Sequence, residues 1–156
     1  MNLFYLITLI WTLLIISCVW VEYTKEIKNQ ITLLLFLIWT TALITLTFGT
    51  PSGGGSAINF TLLDVTNRAD VIDACLNTLL FLPCGMLLRL AGIRCFPSII
   101  VSGILSTLIE VMQFAVGSGR TSDLNDVLFN TLGAILGFSL FCALFRYKKF
   151  LDIKSF

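Results

Sequence analysis

The sequence contains no histidine and few charged residues. Of 156 residues, ten are Lys or Arg and nine are Asp or Glu, so that 12% are charged, about half the ~25% usual in soluble domains. Without histidine, Ser-His-Asp catalysis, Cys-His catalysis and histidine-ligated zinc are excluded. A net charge of +1 provides no basic surface for a nucleic acid, and we expect no such partner. With 57% hydrophobic residues, the chain also lacks the polar surface of a soluble domain.

Cysteine pairs of the kind that hold metals or form disulfide frameworks are absent as well. The five cysteines include no C-x-x-C pair, and their odd number argues against a disulfide framework. All lie in or beside apolar runs, where we expect them to act as small packing residues. The sequence thus predicts no cysteine metal site, and it indicates no particular cofactor.

Long apolar runs are what the chain does contain. Each is close to the ~20 residues that a helix needs to cross a bilayer. The five runs are about 3–21, 31–48, 71–90, 96–116 and 124–145. The first has no preceding Lys or Arg and no A-x-A cleavage site, which argues against a secretory signal peptide. We therefore predict an all-α, polytopic bundle of about five membrane-spanning helices, with residues 1–156 forming one integral domain in the cell membrane.

The basic residues predict the orientation of this bundle. Cytoplasmic loops of membrane proteins carry an excess of Lys and Arg. Eight of the ten basic residues fall on one side of a five-span arrangement, and only Arg68 and Arg120 fall on the other. This distribution predicts an N-terminus outside the cell and a C-terminus in the cytoplasm.

Polar residues recur at helical spacing within the fourth and fifth runs. Glu110 and Gln113 are three residues apart and share a helix face. In the fifth run one stripe is polar at its outer end and glycine-rich at its inner end; its members are Asp123, Asp126, Asn130, Gly133 and Gly137. Thr121 or Ser122 is the expected N-cap of this helix.

The third and fifth runs share a sequence pattern. Residues 70–79 and 123–132 both read D-x-x-D-x-x-x-N-T-L, and an Arg precedes each. Because both runs cross the membrane in the same direction, the pattern predicts a parallel repeat. Asn77 and Asn130 lie about 10 Å inward from the first Asp of each pattern, at 1.5 Å per residue. Glu110 is expected at a similar depth.

Two interpretations of these intramembrane polar residues stay open. Burying an acidic side chain in a membrane costs at least a few kcal/mol, so Glu110 either pairs with Asn77, Asn130 or Arg120 or lines a water-filled outer cavity. A cavity would indicate a functional site, because ionisable groups inside membranes are functional candidates by default. Paired groups would instead form a clamp between helices, at about 0.6 kcal/mol for each interhelical bond.

The chain resembles the VanZ-like family over about residues 45–145. Three motifs carry the resemblance: residues 77–85 (NTLLFLPCG), Glu110-x-x-Gln113, and Arg120-x-x-Asp123-x-x-Asp126-x-x-x-Asn130-x-x-Gly133-x-x-x-Gly137. Cys84 is a mild departure at a small-residue position. The resemblance implies a small polytopic protein of the bacterial cell envelope, whose founding member is associated with low-level teicoplanin resistance. It supplies no accepted catalytic residues.

Three hypotheses of function follow. In the first, the protein lowers susceptibility to teicoplanin-type glycopeptides or binds a lipid-linked surface ligand at an outward-facing polar cluster. Its partners would be membrane lipids and a lipid-linked cell-wall component or a lipoglycopeptide. In the second, it is a membrane enzyme acting on a lipid headgroup or a lipid-linked phosphate. In the third, it is a non-catalytic membrane assembly subunit.

The residues that would carry these functions are the same polar set. As an enzyme, the protein would use Glu110 as a general acid or base, Arg120 to hold a phosphate and Asp126 as a further catalytic candidate. The candidate binding residues are Asp73, Asn77, Gln113, Asp123 and Asn130. The carboxylates of Asp73, Asp123 and Asp126 offer an alternative role, oxygen ligation of a divalent cation.

Overall fold

The computed structural model describes residues 28–48, 58–116 and 122–154, together with the single helical positions Leu13 and Ser17. Four helices and a pair of two-residue strands follow in the order α1 (Lys28–Phe48), β1 (Ile58–Asn59), α2 (Arg68–Leu90), α3 (Cys95–Val116), β2 (Ser122–Asp123) and α4 (Leu124–Lys154). The short strand pair is the one departure, among these residues, from the all-helical prediction.

All four described helices are long and apolar enough to cross a membrane. The candidate spans are Asn29–Phe48, Arg68–Leu90, Cys95–Ala115 and Leu124–Arg146, and they confirm the last four predicted runs. The first run, about residues 3–21, lies outside the described residues apart from Leu13 and Ser17. A total of about five spans, and the orientation of the termini, therefore stay predictions.

Helix α2 has well-defined signals at both ends. Asn67 is its N-cap, and the side-chain oxygen accepts a hydrogen bond of 3.0 Å from the Ala69 N–H, as N-cap residues do. At the other end Gly92 has a φ of 84°, the left-handed conformation that glycine adopts without strain. The N–H of Ile93 donates to the carbonyl of Leu88. These bonds turn the chain sharply, so that α3 runs back antiparallel to α2.

Helices α2 and α4 form the central pair of the bundle, and they are parallel. The contacts advance along both helices together: Gly133 lies against the Thr78 carbonyl, and Gly137 lies against the Leu82 carbonyl. From the other side, Gly85 lies against the carbonyl of Ala134. Small residues allow such close approach of two membrane helices. The structure thus confirms the parallel arrangement and the packing role of the predicted glycine stripe.

The apolar core lies around the second half of α2. Phe81, Met86 and Leu87 are fully enclosed, because α1, α3 and α4 all contact this helix. Trp39 of α1 packs edge-on against Phe81, with ring centroids 5.7 Å apart, and its indole N–H donates to the Leu80 carbonyl at 3.0 Å. The first half of α2, in contrast, faces polar side chains. We call the end at which α2 and α4 begin the cap end.

Candidate functional site

A short parallel strand pair closes the cap end. Ile58 pairs with Ser122, and Asn59 pairs with Asp123. The side chains of the second pair also bond, since the Asn59 amide nitrogen donates to Asp123 Oδ2 at 3.0 Å. The pairing fixes the segment that leads into α2 against the residues that begin α4.

Asp123 is the N-cap of α4. Its Oδ1 accepts a 2.8 Å bond from the backbone N–H of Asn125, two residues on, which is the geometry of an N-cap. The carboxylate thus receives donors on both oxygens, from Asn59 and from Asn125. The sequence predicted Thr121 or Ser122 for this role. That prediction was wrong by one or two residues, because Ser122 pairs with Ile58 in the strand pair and its hydroxyl donates to the Glu110 carbonyl.

Asn125 fixes the extended segment that follows β1. Its amide nitrogen donates to the Thr61 carbonyl at 2.7 Å, and its oxygen accepts from the Leu63 N–H at 3.1 Å. One side-chain amide thereby satisfies a backbone donor and a backbone acceptor of this segment. Asn59, Asp123 and Asn125 are all partly buried, and we refer to these three side chains as the rim.

Glu110 joins the end of α3 to the start of α4. The side chain is 7% exposed, and Oε2 accepts a 3.0 Å hydrogen bond from the backbone N–H of Asp123. Its carbonyl accepts a 2.7 Å bond from the hydroxyl of the buried Ser122. A carboxylate beside the N-terminus of a helix is also favoured by the helix dipole. Glu110 therefore accepts hydrogen bonds from both residues of β2, Ser122 and Asp123.

Asn77 and Asp126 join the two parallel helices. The amide nitrogen of Asn77 donates to Asp126 Oδ1 at 2.5 Å. Both residues are partly buried, and both belong to the repeated sequence pattern, one in each copy. The bond therefore joins the two copies of the pattern directly.

Asn130 joins α4 to α3 further from the cap end. It is 3% exposed, and its amide nitrogen donates to the Ser106 hydroxyl at 2.8 Å. Its Oδ1 is buried without a hydrogen-bond partner among the residues that the structure describes. Ser106 and Glu110 are one helical turn apart on α3. The hydrogen bond of Asn130 and the hydrogen bonds of Glu110 therefore lie at different depths along this helix.

Gln113 joins α3 to α1. The side chain is 4% exposed, and its amide nitrogen donates to the carbonyl of Thr47 at 2.9 Å. Thr47 lies in the last turn of α1, where backbone carbonyls have no partner within the helix. The bond therefore satisfies a helix end with a side chain from a neighbouring helix.

A buried polar face runs along α3. Ser98, Ser102 and Ser106 are each at most 2% exposed, and their spacing of four residues continues to Glu110. Serine is small enough to let a neighbouring helix approach, and its hydroxyl bonds within its own helix. The Ser102 hydroxyl does so with the Ser98 carbonyl at 2.8 Å.

Most of the predicted site residues take part in these bonds. Six of them link one helix to another element: Asn77, Glu110, Gln113, Asp123, Asp126 and Asn130. Asp73 is exposed and takes no part in them. Arg120 lies within residues 117–121, outside the described residues, so its predicted role stays a prediction.

Four partners in this arrangement were not predicted, namely Asn59, Asn125, Ser106 and Thr47. The serine spacing on α3 was the available signal for Ser106, and the alternation of apolar and polar residues from 58 to 62 was the signal for Asn59. Within 28–48, 58–116 and 122–154, no three Cys, Asp or Glu side chains are grouped so as to hold a metal ion. The arrangement is one of paired donors and acceptors between helices.

Comparison with known proteins identifies the family. The VanZ/LLP1 family model matches residues 2–146, more of the chain than the motifs that carried the resemblance. The chain is 34% identical over 88 residues to Protein VanZ of Enterococcus faecium, an alignment that covers 54% of this chain and 52% of that protein. The chain thus spans about half the length of the curated relative it matches. No solved structure matches. With its four candidate spans, the chain is a membrane protein that belongs to the VanZ/LLP1 family.

Proposed function

We propose that this protein acts in the bacterial cell membrane, where the rim binds the polar part of a lipid-linked or lipid-anchored surface ligand and lowers susceptibility to teicoplanin-type glycopeptides. The cap end faces outward in this proposal, as the distribution of Lys and Arg predicts. The observation that supports it most is the rim itself. Its carboxylate and two amides are partly buried, bonded to one another and placed where two spans begin.

The deeper polar pairs have a supporting role in this proposal. Glu110 bonds the backbone of Asp123, and Asn77 bonds Asp126 one turn below the rim. The first of these bonds joins α3 to β2, and the second joins α2 to α4. Such second-layer contacts determine how rigidly a binding group is presented. Arg120 and Asp73 remain proposed contributors to ligand binding.

Drug susceptibility in a host that lacks the gene tests this function. Expression should raise the minimum inhibitory concentration of teicoplanin several-fold. The minimum inhibitory concentration of a glycopeptide without an acyl chain should stay unchanged. Asp123→Asn weakens the acceptor of the rim and should reduce the protection. Asp152→Asn makes the same chemical change near the far end of α4 and serves as the matched control. Unchanged susceptibility at equal membrane expression would contradict the proposal.

A membrane enzyme acting on a lipid headgroup is the second candidate. The observation in its favour is a carboxylate, Glu110, that is 7% exposed within a candidate span. Glu110→Gln keeps an oxygen that can accept the Asp123 N–H but removes the acid. An enzyme would accumulate its substrate in this variant, whereas a binding protein would not. Lipid profiles of cells expressing wild type and Glu110→Gln, compared by mass spectrometry, distinguish the two, and identical profiles exclude catalysis by Glu110.

The assembly-subunit hypothesis predicts a different response. Asp126→Asn and Asn130→Ala should then lower the stability of the bundle without altering drug susceptibility or any lipid pool. Stability of the purified variants, measured beside both cellular assays, separates this outcome from the first two.

A further inference from the structure

A set of large apolar side chains at the cap end is exposed. Ile58 is 55% exposed, Phe60 73%, Leu62 72% and Val65 76%. We call these four residues the apolar strip. They lie in the segment that runs from β1 to the turn before the N-cap of α2, and residues 58–63 contain no charge.

The orientation of the strip is fixed by the residues between its members. Asn59 bonds the side chain of Asp123, and the backbone groups of Thr61 and Leu63 bond Asn125. These bonds hold the backbone of the segment against the start of α4. Asn59 and Leu63 are partly buried, whereas Phe60 and Leu62 are exposed, so the strip presents these two apolar side chains to the surroundings on a segment held by hydrogen bonds.

The strip lies beside the starts of two candidate membrane spans. Three apolar side chains in the first turns of α2 and α4 are also exposed: Ile72 at 47%, Leu124 at 39% and Leu128 at 48%. In a membrane span such side chains contact acyl chains. Because the strip ends directly before α2 and bonds the first turn of α4, it lies where these two spans enter the membrane.

We infer that the apolar strip inserts into the boundary between lipid headgroups and acyl chains, and that its partner is membrane phospholipid. Contiguous exposed apolar side chains on a protein mark an interaction surface. Aromatic and apolar side chains of interfacial segments lie at this depth, and aromatic residues are enriched there. Lipid is the favoured occupant because the strip extends an apolar surface that the spans already present to lipid. This inference does not depend on the proposed ligand of the rim.

Tryptophan fluorescence of the full chain in nanodiscs tests the inference. Phe60→Trp places a reporter in the strip, and Leu62→Trp is a second reporter in case the first variant folds poorly. Lys154→Trp is the matched control, because Lys154 lies eight residues beyond the span that ends at Arg146. The emission of the three native tryptophans, measured in wild type, is subtracted from each variant.

Each reporter is exposed to phospholipids brominated near the headgroup end of the acyl chain and, separately, to aqueous iodide. The strip reporters should lose most of their added emission to bromine and little to iodide, and the control should show the reverse. The inference would be overturned if iodide quenched the strip reporters as strongly as it quenches the control. A second copy as occupant would be revealed by protection from iodide that disappears when the discs contain one chain each, and this result would overturn it too. No glycopeptide is present, so failure here is separate from failure of the proposed function.

Discussion

Gly133 lies so close to Thr78 that a Cβ at position 133 would overlap the Thr78 carbonyl oxygen. The contact involves backbone on both sides, so neither partner can move by a change of rotamer. The same relationship recurs one turn on, between Gly137 and Leu82. Together with Gly85, which meets the Ala134 carbonyl from the α2 side, these glycines set the distance between α2 and α4 by their lack of side chains.

Gly133→Ala is expected to destabilise the protein. The added methyl group would push α4 away from α2, and overpacking of this kind costs roughly 1–3 kcal/mol. Gly103→Ala is the control, because a Cβ there would meet only the Thr131 hydroxyl at an ordinary 3.6 Å. Unfolding in mixed micelles with increasing dodecyl sulfate, followed by circular dichroism, measures both. Equal unfolding midpoints would show that the close approach is not structurally required.

The bond between Asn77 and Asp126 is expected to couple the two halves of the sequence repeat. A double-mutant cycle with Asn77→Ala and Asp126→Ala should give an interaction free energy of about 0.6 kcal/mol, and up to about 1.7 kcal/mol. A second cycle pairs Asn77→Ala with Ser98→Ala, near the opposite end of the bundle. The free-energy changes of substitutions at distant sites usually add, so the second cycle should give no interaction free energy. An interaction free energy of equal size in both cycles would mean that the substitutions destabilise the whole bundle instead of removing one specific bond.

Replacing both partners of the Asn130–Ser106 bond should be less harmful than replacing one. Ser106→Ala leaves the buried amide nitrogen of Asn130 without an acceptor, at about 1–3 kcal/mol. Adding Asn130→Leu removes that nitrogen and also the Oδ1 that has no described partner. The double variant should therefore unfold at a higher dodecyl sulfate fraction than Ser106→Ala alone. A lower midpoint for the double variant would indicate that Asn130 stabilises the bundle by contacts other than this bond.

The turn before α2 is expected to loosen in acid. Two hydrogen bonds from Thr66, from its hydroxyl at 2.6 Å and from its backbone N–H at 2.9 Å, hold the carboxylate of Asp64. They lower the pKa of Asp64 from the ordinary 3.8. Because the folded pKa lies below the unfolded one, the stabilisation is fully present above the unfolded pKa and is lost as pH falls through the folded pKa.

Amide hydrogen exchange checks this prediction. Protection factors of Thr66 and Asn67 should be constant near neutral pH and should decrease below about pH 4. Asp64→Asn cannot ionise, so it should show lower protection of these amides at neutral pH and no such pH dependence. An identical profile in wild type and variant would exclude Asp64 as the titrating group.

Hydropathy predicted the four described spans because span length is a property of each segment alone. The differences are at the ends: α2 begins at Arg68 rather than near Val71, since Asn67 supplies a cap. The pairing of α2 with α4 was also predictable, because the repeated pattern places Asn77 and Asn130 at equivalent positions and the glycines of α4 mark its packing face.

The partners of each polar side chain could not be predicted in the same way. Asn125 bonds backbone groups more than 60 residues earlier in the chain, and no local sequence pattern predicts that contact. Trp39 was equally ambiguous, since a tryptophan in a span can anchor at the interface or enter the core. Its bond to the Leu80 carbonyl depends on α1 packing against α2, which sequence spacing does not determine.

The parallel pairing of α2 and α4 has a consequence for synthesis of the chain. Asn77 enters the membrane before its partner exists, because Asp126 lies 49 residues later. At about 5–20 residues per second, α2 waits roughly two to ten seconds before the partner of Asn77 has been made. During that interval α3, whose Ser106 later bonds Asn130 of α4, is the helix being made. The order of the helices along the chain thus means that the central pair of the bundle cannot form until α3 has been made.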